Sequence, residues 1–413
     1  MARPLSFEIK ARSTTCNARR GVVTTLHGSF NTPAFMPVGT KGTVKGILPA
    51  LVEATGAEIL LNNTYHLLLR PGPELVSQMG GVHKFMNWHR PILTDSGGYQ
   101  AYSLSETNSI DDDGVTFKSI VDGSTVRLTP ERAIEVQNLL GPDIMMALDD
   151  CPPSIDPTVE RPTQPRLAAA ARRDSSLSER SRKKKTYDHV ARLDIANERT
   201  VRWLERCIRA HRRPGEQSLF GIVQGGTDLQ RRSWSAERIG ALDCPGFAIG
   251  GVAVGESAED IAKIVRHTAP LLPADKPRYL MGVGYERDLY EAVRAGVDMF
   301  DCVLPTRNGR NANAFTSKGQ LRLRNAACTN DPRPIEPGCD CEACRPGPNG
   351  HFTRAYLRHL FMADEMLGPI LVTIHNLRHF QRFMADLRET IATEQWDVFV
   401  AKWPVAKDRA PEA

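Results

Sequence analysis

Eight short apolar runs recur along the chain, at residues 33–38, 57–61, 91–94, 144–148, 219–223, 247–249, 278–281 and 297–300. Most are followed by a segment whose apolar residues return every three or four positions. These segments are clearest at 130–140, 199–211, 231–242, 258–271 and 286–295. Helix starts are marked as well. Thr129 precedes Pro130 at a first helical turn, and Ser257 with Asp260 has capping-box spacing. This count of strand-then-helix units predicts an α/β chain folded as a parallel (β/α)8 TIM barrel. A doubly wound open sheet would carry a glycine-rich phosphate loop after its first strand, and none follows residues 33–38. The 413 residues suffice for a barrel with a small appendage.

Two stretches interrupt the alternation. Residues 115–128 place β-branched runs on either side of Asp122-Gly123, which predicts a hairpin inserted after the third strand. Residues 161–185 carry nine Lys/Arg against two Asp/Glu and end in Arg180-Ser181-Arg182-Lys183-Lys184-Lys185. Residues 302–361 carry nine against four, so the net charge of +5 leaves the remainder of the chain at −7. Positive charge gathered in two segments suits a polyanionic partner, although a solvated loop is the simpler account of the first. No signal-peptide-like start and no bilayer-length apolar run are present, so a cytoplasmic protein with no membrane partner is expected.

Six of the nine cysteines are scattered, but Cys339, Cys341 and Cys344 fall within six residues. Clustered thiolates in a cytosolic chain read as a metal site. His375, near the start of an amphipathic segment at 371–391, completes a closed Cys3His set, with His351, His359 and His379 as competitors. Such a set leaves no coordination position for substrate, so one structural Zn2+ folding a basic knob is expected.

In a barrel of this kind function gathers at the carboxyl ends of the strands. Those ends supply Asp95, Asp149, Gln224, Gly250-Gly251, Gly282 and Asp301. Asp301 ends the last run. Pro305 and Gly309 then break the backbone, and Arg307 and Arg310 follow on what reads as a loop suited to holding a phosphate backbone. Asp95 lies in Thr94-Asp-Ser-Gly-Gly-Tyr-Gln100, where Tyr99 is placed to stack on a planar ring. Two facing carboxylates at a sugar–base bond suit glycosyl chemistry, one attacking the anomeric carbon and the other moving protons. Asp149 and Gln224 would read the edge of a nitrogenous base. Taken singly, Asp149 also reads as a helix cap and Gln224 as a buried amide.

The ordered motifs 32–40 (TPAFMPVGT), 63–66 (NTYH), 94–100 (TDSGGYQ), 220–226 (FGIVQGG), 249–256 (IGGVAVGE), 279–284 (YLMGVG), 300–307 (FDCVLPTR), the cysteine cluster and 373–376 (TIHN) resemble the bacterial tRNA-guanine transglycosylase family over nearly the whole chain. The resemblance implies a barrel over residues 1–318 with the basic insertion at about 161–185. It implies a zinc-binding subdomain over 319–375, and a C-terminal helix and tail over 376–413 that pack back on the barrel. It implies exchange of the wobble guanine of G-U-N anticodon tRNAs (those for Asp, Asn, His and Tyr) for a 7-deazaguanine in queuosine biosynthesis. Asp301 matches the nucleophile and Asp95 the general acid/base. Asp149, Gln224 and the backbone at Gly251 and Val252 match the base-recognition set, and Tyr99 and Met281 the residues that sandwich the ring. Arg307 and Arg310 match RNA contacts, and Cys339, Cys341, Cys344 and His375 the zinc ligands. Cys151 and Val254 match the pattern that accepts preQ1 (7-aminomethyl-7-deazaguanine), because Val254 would crowd the larger queuine. A homodimer is implied.

The chain departs from the family pattern at Val252, commonly leucine, and at Asp150, more usually glutamate. A non-catalytic tRNA-binding subunit of a heteromeric transglycosylase is the alternative. It is disfavoured because Asp95 and Asp301 are both present. An archaeal-type enzyme would carry a further RNA-binding domain, for which the 38 residues after His375 are too few.

Overall fold

The computed structural model describes residues 4–104, 108–154, 156, 188–253 and 255–407. The basic segment 161–185 and Val254 lie outside the described residues. Eight parallel strands make the barrel: β1 (Ala34–Met36), β2 (Leu60–Asn62), β3 (Ile92–Thr94), β4 (Ile144–Met146), β5 (Ser218–Val223), β6 (Phe247–Ile249), β7 (Arg278–Leu280) and β8 (Met299–Asp301). Their hydrogen-bonded order is β1-β8-β7-β6-β5-β4-β3-β2, and a parallel bridge between Val38 and Leu61 closes the ring. Each expected run overlaps one strand. The runs read as uniformly apolar because both faces of a barrel strand are buried. Met36, Leu61, Leu93, Ile144, Met146, Phe220, Ile222, Ala248, Tyr279 and Met299 pack together in one cluster, each apolar side chain contributing about 1.5–3 kcal/mol by leaving water.

The cap signals act as expected. Thr129 Oγ1 accepts from Arg132 N at 3.2 Å to start Pro130–Leu140, and Ser257 Oγ accepts from Asp260 N at 3.1 Å to start Ala258–Thr268. Two helices begin earlier than their periodicity suggested, at His189–Ala210 and Leu229–Gly240. The second follows Leu229 with Gln230, Arg231 and Arg232, so its apolar period starts late, whereas the first already buries Leu193 and Ala196 ahead of the expected start. The expected hairpin has a third strand: Asn108–Asp111 pairs with Gly114–Lys118, which pairs with Thr125–Leu128. The added strand is nearly all polar, which hid it.

Two small sheets went unanticipated, a hairpin of Asn313–Thr316 with Gly319–Arg322 and a larger one near the start of the chain, whose strands no helix follows. Ser6–Arg12, Arg19–Thr25 and Gly28–Thr32 form an antiparallel sheet. Val23 and Phe30 join the barrel's interior cluster. The fully buried Arg19 grips Asp298, just before β8, through Nε at 2.8 Å and Nη2 at 2.5 Å. The amino-terminal end of the barrel is thereby covered, and the carboxyl ends of the strands face the site.

Arg307 and Arg310 lie on a helix, Leu304–Arg310, and not on a loop. Pro305 sits in its first turn, where a missing N–H costs nothing. Gly309 does not break the backbone; a Cβ there would come within 2.6 Å of Thr373 Oγ1, so glycine permits close contact with the helix Leu367–Thr393. That long helix carries His375 and then packs Phe380, Phe383, Met384 and Leu387 into the main core. Gln381 Nε2 and Arg388 Nη1 donate to the carbonyls of Phe35 and Pro33 at 2.9 and 2.8 Å. Beyond it Phe399 stacks on Tyr290 at 5.7 Å between ring centres, and Trp403 donates to Asp386 at 2.7 Å. Among the described residues no helix is long and apolar enough to cross a membrane.

Candidate active site and metal centre

Seven of the eight strand ends contribute polar groups to one region. Asn63 and Thr64 follow β2, Asp95 follows β3, Asp149 lies beyond β4, and Gln224 follows β5. Gly250-Gly251 follow β6, Met281-Gly282 follow β7, and Asp301 ends β8. Parallel strands of similar length bring these ends to the same face of the barrel.

Asp301 is held by one oxygen. Tyr279 Oη donates to Oδ1 at 2.6 Å and the Gly282 N–H donates to the same atom at 2.8 Å. Gly282 has φ of +75°, a conformation glycine adopts without strain. Among the described residues Oδ2 has no hydrogen-bond donor. Burial raises the Asp301 pKa, against the lowering pull of Tyr279 and Gly282.

Asp95 is buried and anchored from β2. Asn63 Nδ2 donates a short bond to Oδ2, Thr64 N donates to Oδ1 at 2.7 Å, and Thr64 Oγ1 donates to the Asp95 carbonyl at 2.5 Å. Burial pushes its pKa up to about 7, and the negative field of Asp301 adds to that rise. The two carboxylates therefore sense one another. A carboxyl group poised near neutrality suits proton transfer in either direction.

Asp149 is buried beside Gln224, whose Nε2 donates to Oδ2 at 2.6 Å. Burial raises the Asp149 pKa to about 6. Together they present a carboxylate and an amide, one accepting and the other able to donate or accept. Tyr99 is 37% exposed at the first turn of Gly98–Leu104, and Met281 is half-buried after β7. Cys151 is half-buried and Val252 fully buried. Asp150 serves the fold instead. Arg192 grips it at 2.9 and 2.7 Å and Arg199 at 2.6 Å, so it anchors the helix His189–Ala210. Arg307 is exposed and Arg310 half-buried, and among the described residues neither pairs with a carboxylate.

The anchoring roles of Asn63, Thr64 and Tyr279 were not assigned from the sequence. The strand-end rule that found Asp95 applied equally to Asn62-Asn63-Thr64. Tyr279 was detectable as a polar-tipped aromatic inside an apolar strand.

Cys339, Cys341, Cys344 and His375 are buried together. His375 Nδ1 stands 3.7, 3.5 and 3.3 Å from the three sulfurs. A tetrahedral ion with zinc-like bond lengths separates sulfur from nitrogen by about 3.5 Å. Nε2 donates to the Phe315 carbonyl at 2.7 Å, which leaves Nδ1 unprotonated toward the sulfurs. The four donors fit a closed metal site, and His351, His359 and His379 stand outside it. A second group, His27, His83 and Asp143, lies toward the covered end of the barrel. There the imidazoles bond the carboxylate directly at 2.9 and 3.0 Å, and the Ile92 N–H adds a bond at 2.9 Å. That carboxylate is satisfied without an ion.

The family model described as queuine tRNA-ribosyltransferase matches residues 14–191 and 183–408. A queuine tRNA-ribosyltransferase of Geobacillus kaustophilus is 45% identical over 395 residues, 96% of this chain and 94% of the relative. Those of Herpetosiphon aurantiacus and Acetivibrio thermocellus are each 48% identical, covering 94% and 95% of this chain and 89% and 95% of theirs. With a strand-end site on a (β/α)8 barrel and this likeness along almost its whole length, the chain belongs to the queuine tRNA-ribosyltransferase family of glycosyltransferases.

Proposed function

We propose that the protein is a tRNA-guanine transglycosylase that replaces the wobble guanine of G-U-N anticodon tRNAs with preQ1 by double displacement. The carrying observation is the asymmetric hold on Asp301: Tyr279 and Gly282 fix one carboxylate oxygen and leave the other for attack. In the first step Asp301 Oδ2 bonds to ribose C1′ as the C1′–guanine bond breaks, and the departing purine nitrogen takes a proton from Asp95. In the second the incoming base gives its proton to Asp95, and its nitrogen displaces the carboxylate. Two inversions return the original configuration. The nucleotide must leave its anticodon stack to reach this mouth.

Asp149, Gln224 and the Gly251–Val252 backbone read the base, and Tyr99 and Met281 flank its ring. Arg307 and Arg310, without carboxylate partners among the described residues, suit phosphates of the anticodon arm. The Cys3His group would hold one structural Zn2+ within a subdomain over residues 319–375, between a barrel over 1–318 and a tail over 376–413. A homodimer acting in the cytoplasm, with one subunit helping to hold the tRNA, accords with the size of that substrate. Steric crowding at Val254 is the argument for preQ1 over queuine, with Cys151 as its neighbour in the pattern.

The test is incorporation of labelled guanine into unmodified G-U-N tRNA, with preQ1 and queuine as competitors. Incorporation that Asp301→Ala abolishes, and that preQ1 inhibits better than queuine, is the expected result. A folded wild-type protein that incorporates nothing would be the non-catalytic tRNA-binding subunit instead.

A further inference from the structure

Arg232 is wholly buried, and none of the described carboxylates forms an ion pair with it. It lies in the first turn of Leu229–Gly240, behind the ends of β5 and β6. Its guanidinium donates to four backbone carbonyls instead: Nε to Gly226 at 2.9 Å, Nη1 to Val223 at 3.1 Å and Gly250 at 2.7 Å, and Nη2 to Gly251 at 2.9 Å. A buried cation is costly to desolvate; four carbonyl dipoles and the field of the Glu256 carboxylate offset that cost here. Burial lowers its pKa to about 10, so it remains charged at neutral pH.

The two glycine carbonyls matter most. The peptides at 250–251 and 251–252 are trans, since the cis bonds are Thr32-Pro33 and Arg70-Pro71. In a planar trans peptide the N–H points opposite to the C=O. With the Gly250 and Gly251 carbonyls turned onto Arg232, the N–H groups of Gly251 and Val252 point away from it. Among the described residues neither N–H has an acceptor. A cation on a peptide oxygen also polarises the attached N–H into a stronger donor. The Gln224 side chain lies against the same glycines: a Cβ at Gly250 would come within 2.7 Å of Nε2, and one at Gly251 within 2.3 Å of Oε1. Arg232 thus ties the strand end carrying Gln224 to the backbone that follows β6.

We propose that Arg232 is a positioning residue for base selection: its four-carbonyl clamp aims the Gly251 N–H at the ring carbonyl of a 6-oxopurine. The proposal rests on the transglycosylase reading and adds to it the residue that sets the donor's direction. Asp149 complements the ring and exocyclic N–H groups on the same edge of such a base, and the clamped N–H complements its carbonyl. Lysine supplies charge but cannot reach four carbonyls in one plane.

The experiment compares equilibrium binding of guanine and 6-thioguanine to wild type, Arg232→Gln and Arg232→Lys. 6-Thioguanine keeps the N–H groups facing Asp149 but offers sulfur, a weaker acceptor, in place of the oxygen. Wild type is expected to prefer guanine by about tenfold or more. In Arg232→Gln guanine should weaken by about that factor while 6-thioguanine changes less than about threefold, so that the preference collapses. Arg232→Lys, the milder change, is read in the same way and carries the test if the glutamine variant does not fold. Folded variants that weaken both ligands equally, or that keep the wild-type preference, would overturn the proposal and leave Arg232 as packing. A wild-type protein that binds neither base would instead remove the transglycosylase reading, and this inference with it.

Discussion

Asp298 precedes β8 and Asp301 ends it, so two residues separate a fully buried carboxylate from a half-buried one at opposite ends of one strand. Around Asp298 the protein has closed every valence. Arg19 grips both oxygens, and the Arg278 N–H adds a third bond at 2.7 Å. Around Asp301 it has stopped halfway, with two donors on one oxygen and no cation paired with it among the described residues. The difference separates an acid used for folding from one available for chemistry. A carboxylate with its guanidinium in place has no reason to attack anything, whereas one held at a single oxygen, with no cation beside it among the described residues, has stabilisation left to gain.

The comparison can be broken in order of expected effect. Asp301→Asn should lower guanine exchange by about 10^4-fold or more, as loss of a nucleophile does. Its unfolding free energy at pH 7.5 should be unchanged or higher, because a neutral amide is easier to bury than a carboxylate. A large loss of stability would show that both acids serve folding. Arg19→Met should do the reverse, costing about 3–5 kcal/mol in denaturant unfolding by leaving Asp298 uncompensated. Exchange by the folded fraction should stay within about twofold; a selective loss of activity would tie the covered end to catalysis.

Tyr279→Phe sharpens the contrast within the site. Loss of one charge-assisted bond to Asp301 should slow covalent trapping of tRNA by about tenfold to a hundredfold with little change in melting temperature. Unaltered trapping would leave Gly282 as the only positioning group. The last test concerns pH. In the proposed mechanism departure of guanine needs Asp95 in its acid form, and that form is lost as pH rises through about 7. Single-turnover trapping should therefore fall about tenfold per unit well above that point. Asp95→Asn should flatten this limb, and a wild-type profile level from pH 6 to 9 would assign the proton to another group.

The two aspartates also mark where sequence reading succeeds and stops. Asp301 was legible because its signal is local: an apolar run, a carboxylate, then Pro305, Arg307 and Gly309. Asp298 was not, because its partner Arg19 lies 279 positions away in a sheet that no helix follows. The eight strands were legible for the same local reason, and so was the cysteine cluster. Arg232 appeared as one more polar residue on an amphipathic helix. Its importance lies in four carbonyls from two separate strand ends, a relation carried by no pattern along the chain. The helix at Leu304–Arg310 was misread because Pro305 and Gly309 commonly terminate structure, while here one starts a helix and the other fits it against a neighbour.

The long helix Leu367–Thr393 has a consequence for how the chain is made. β1, the first barrel strand, pairs with β8, the last: Phe35 lies opposite Phe300 and Met36 opposite Asp301. The Pro33 and Phe35 carbonyls then take hydrogen bonds from Arg388 and Gln381. During synthesis β1 leaves the ribosome early and waits about 265 residues for β8 and about 350 for Gln381 and Arg388, at common elongation rates of the order of tens of seconds. Contacts of such sequence separation are slow to form and leave an unpaired apolar strand exposed in the meantime. A ribosome stalled before Gln381 would hold a chain whose first strand still lacks its cover, and chaperone demand should drop once the 367–393 helix emerges.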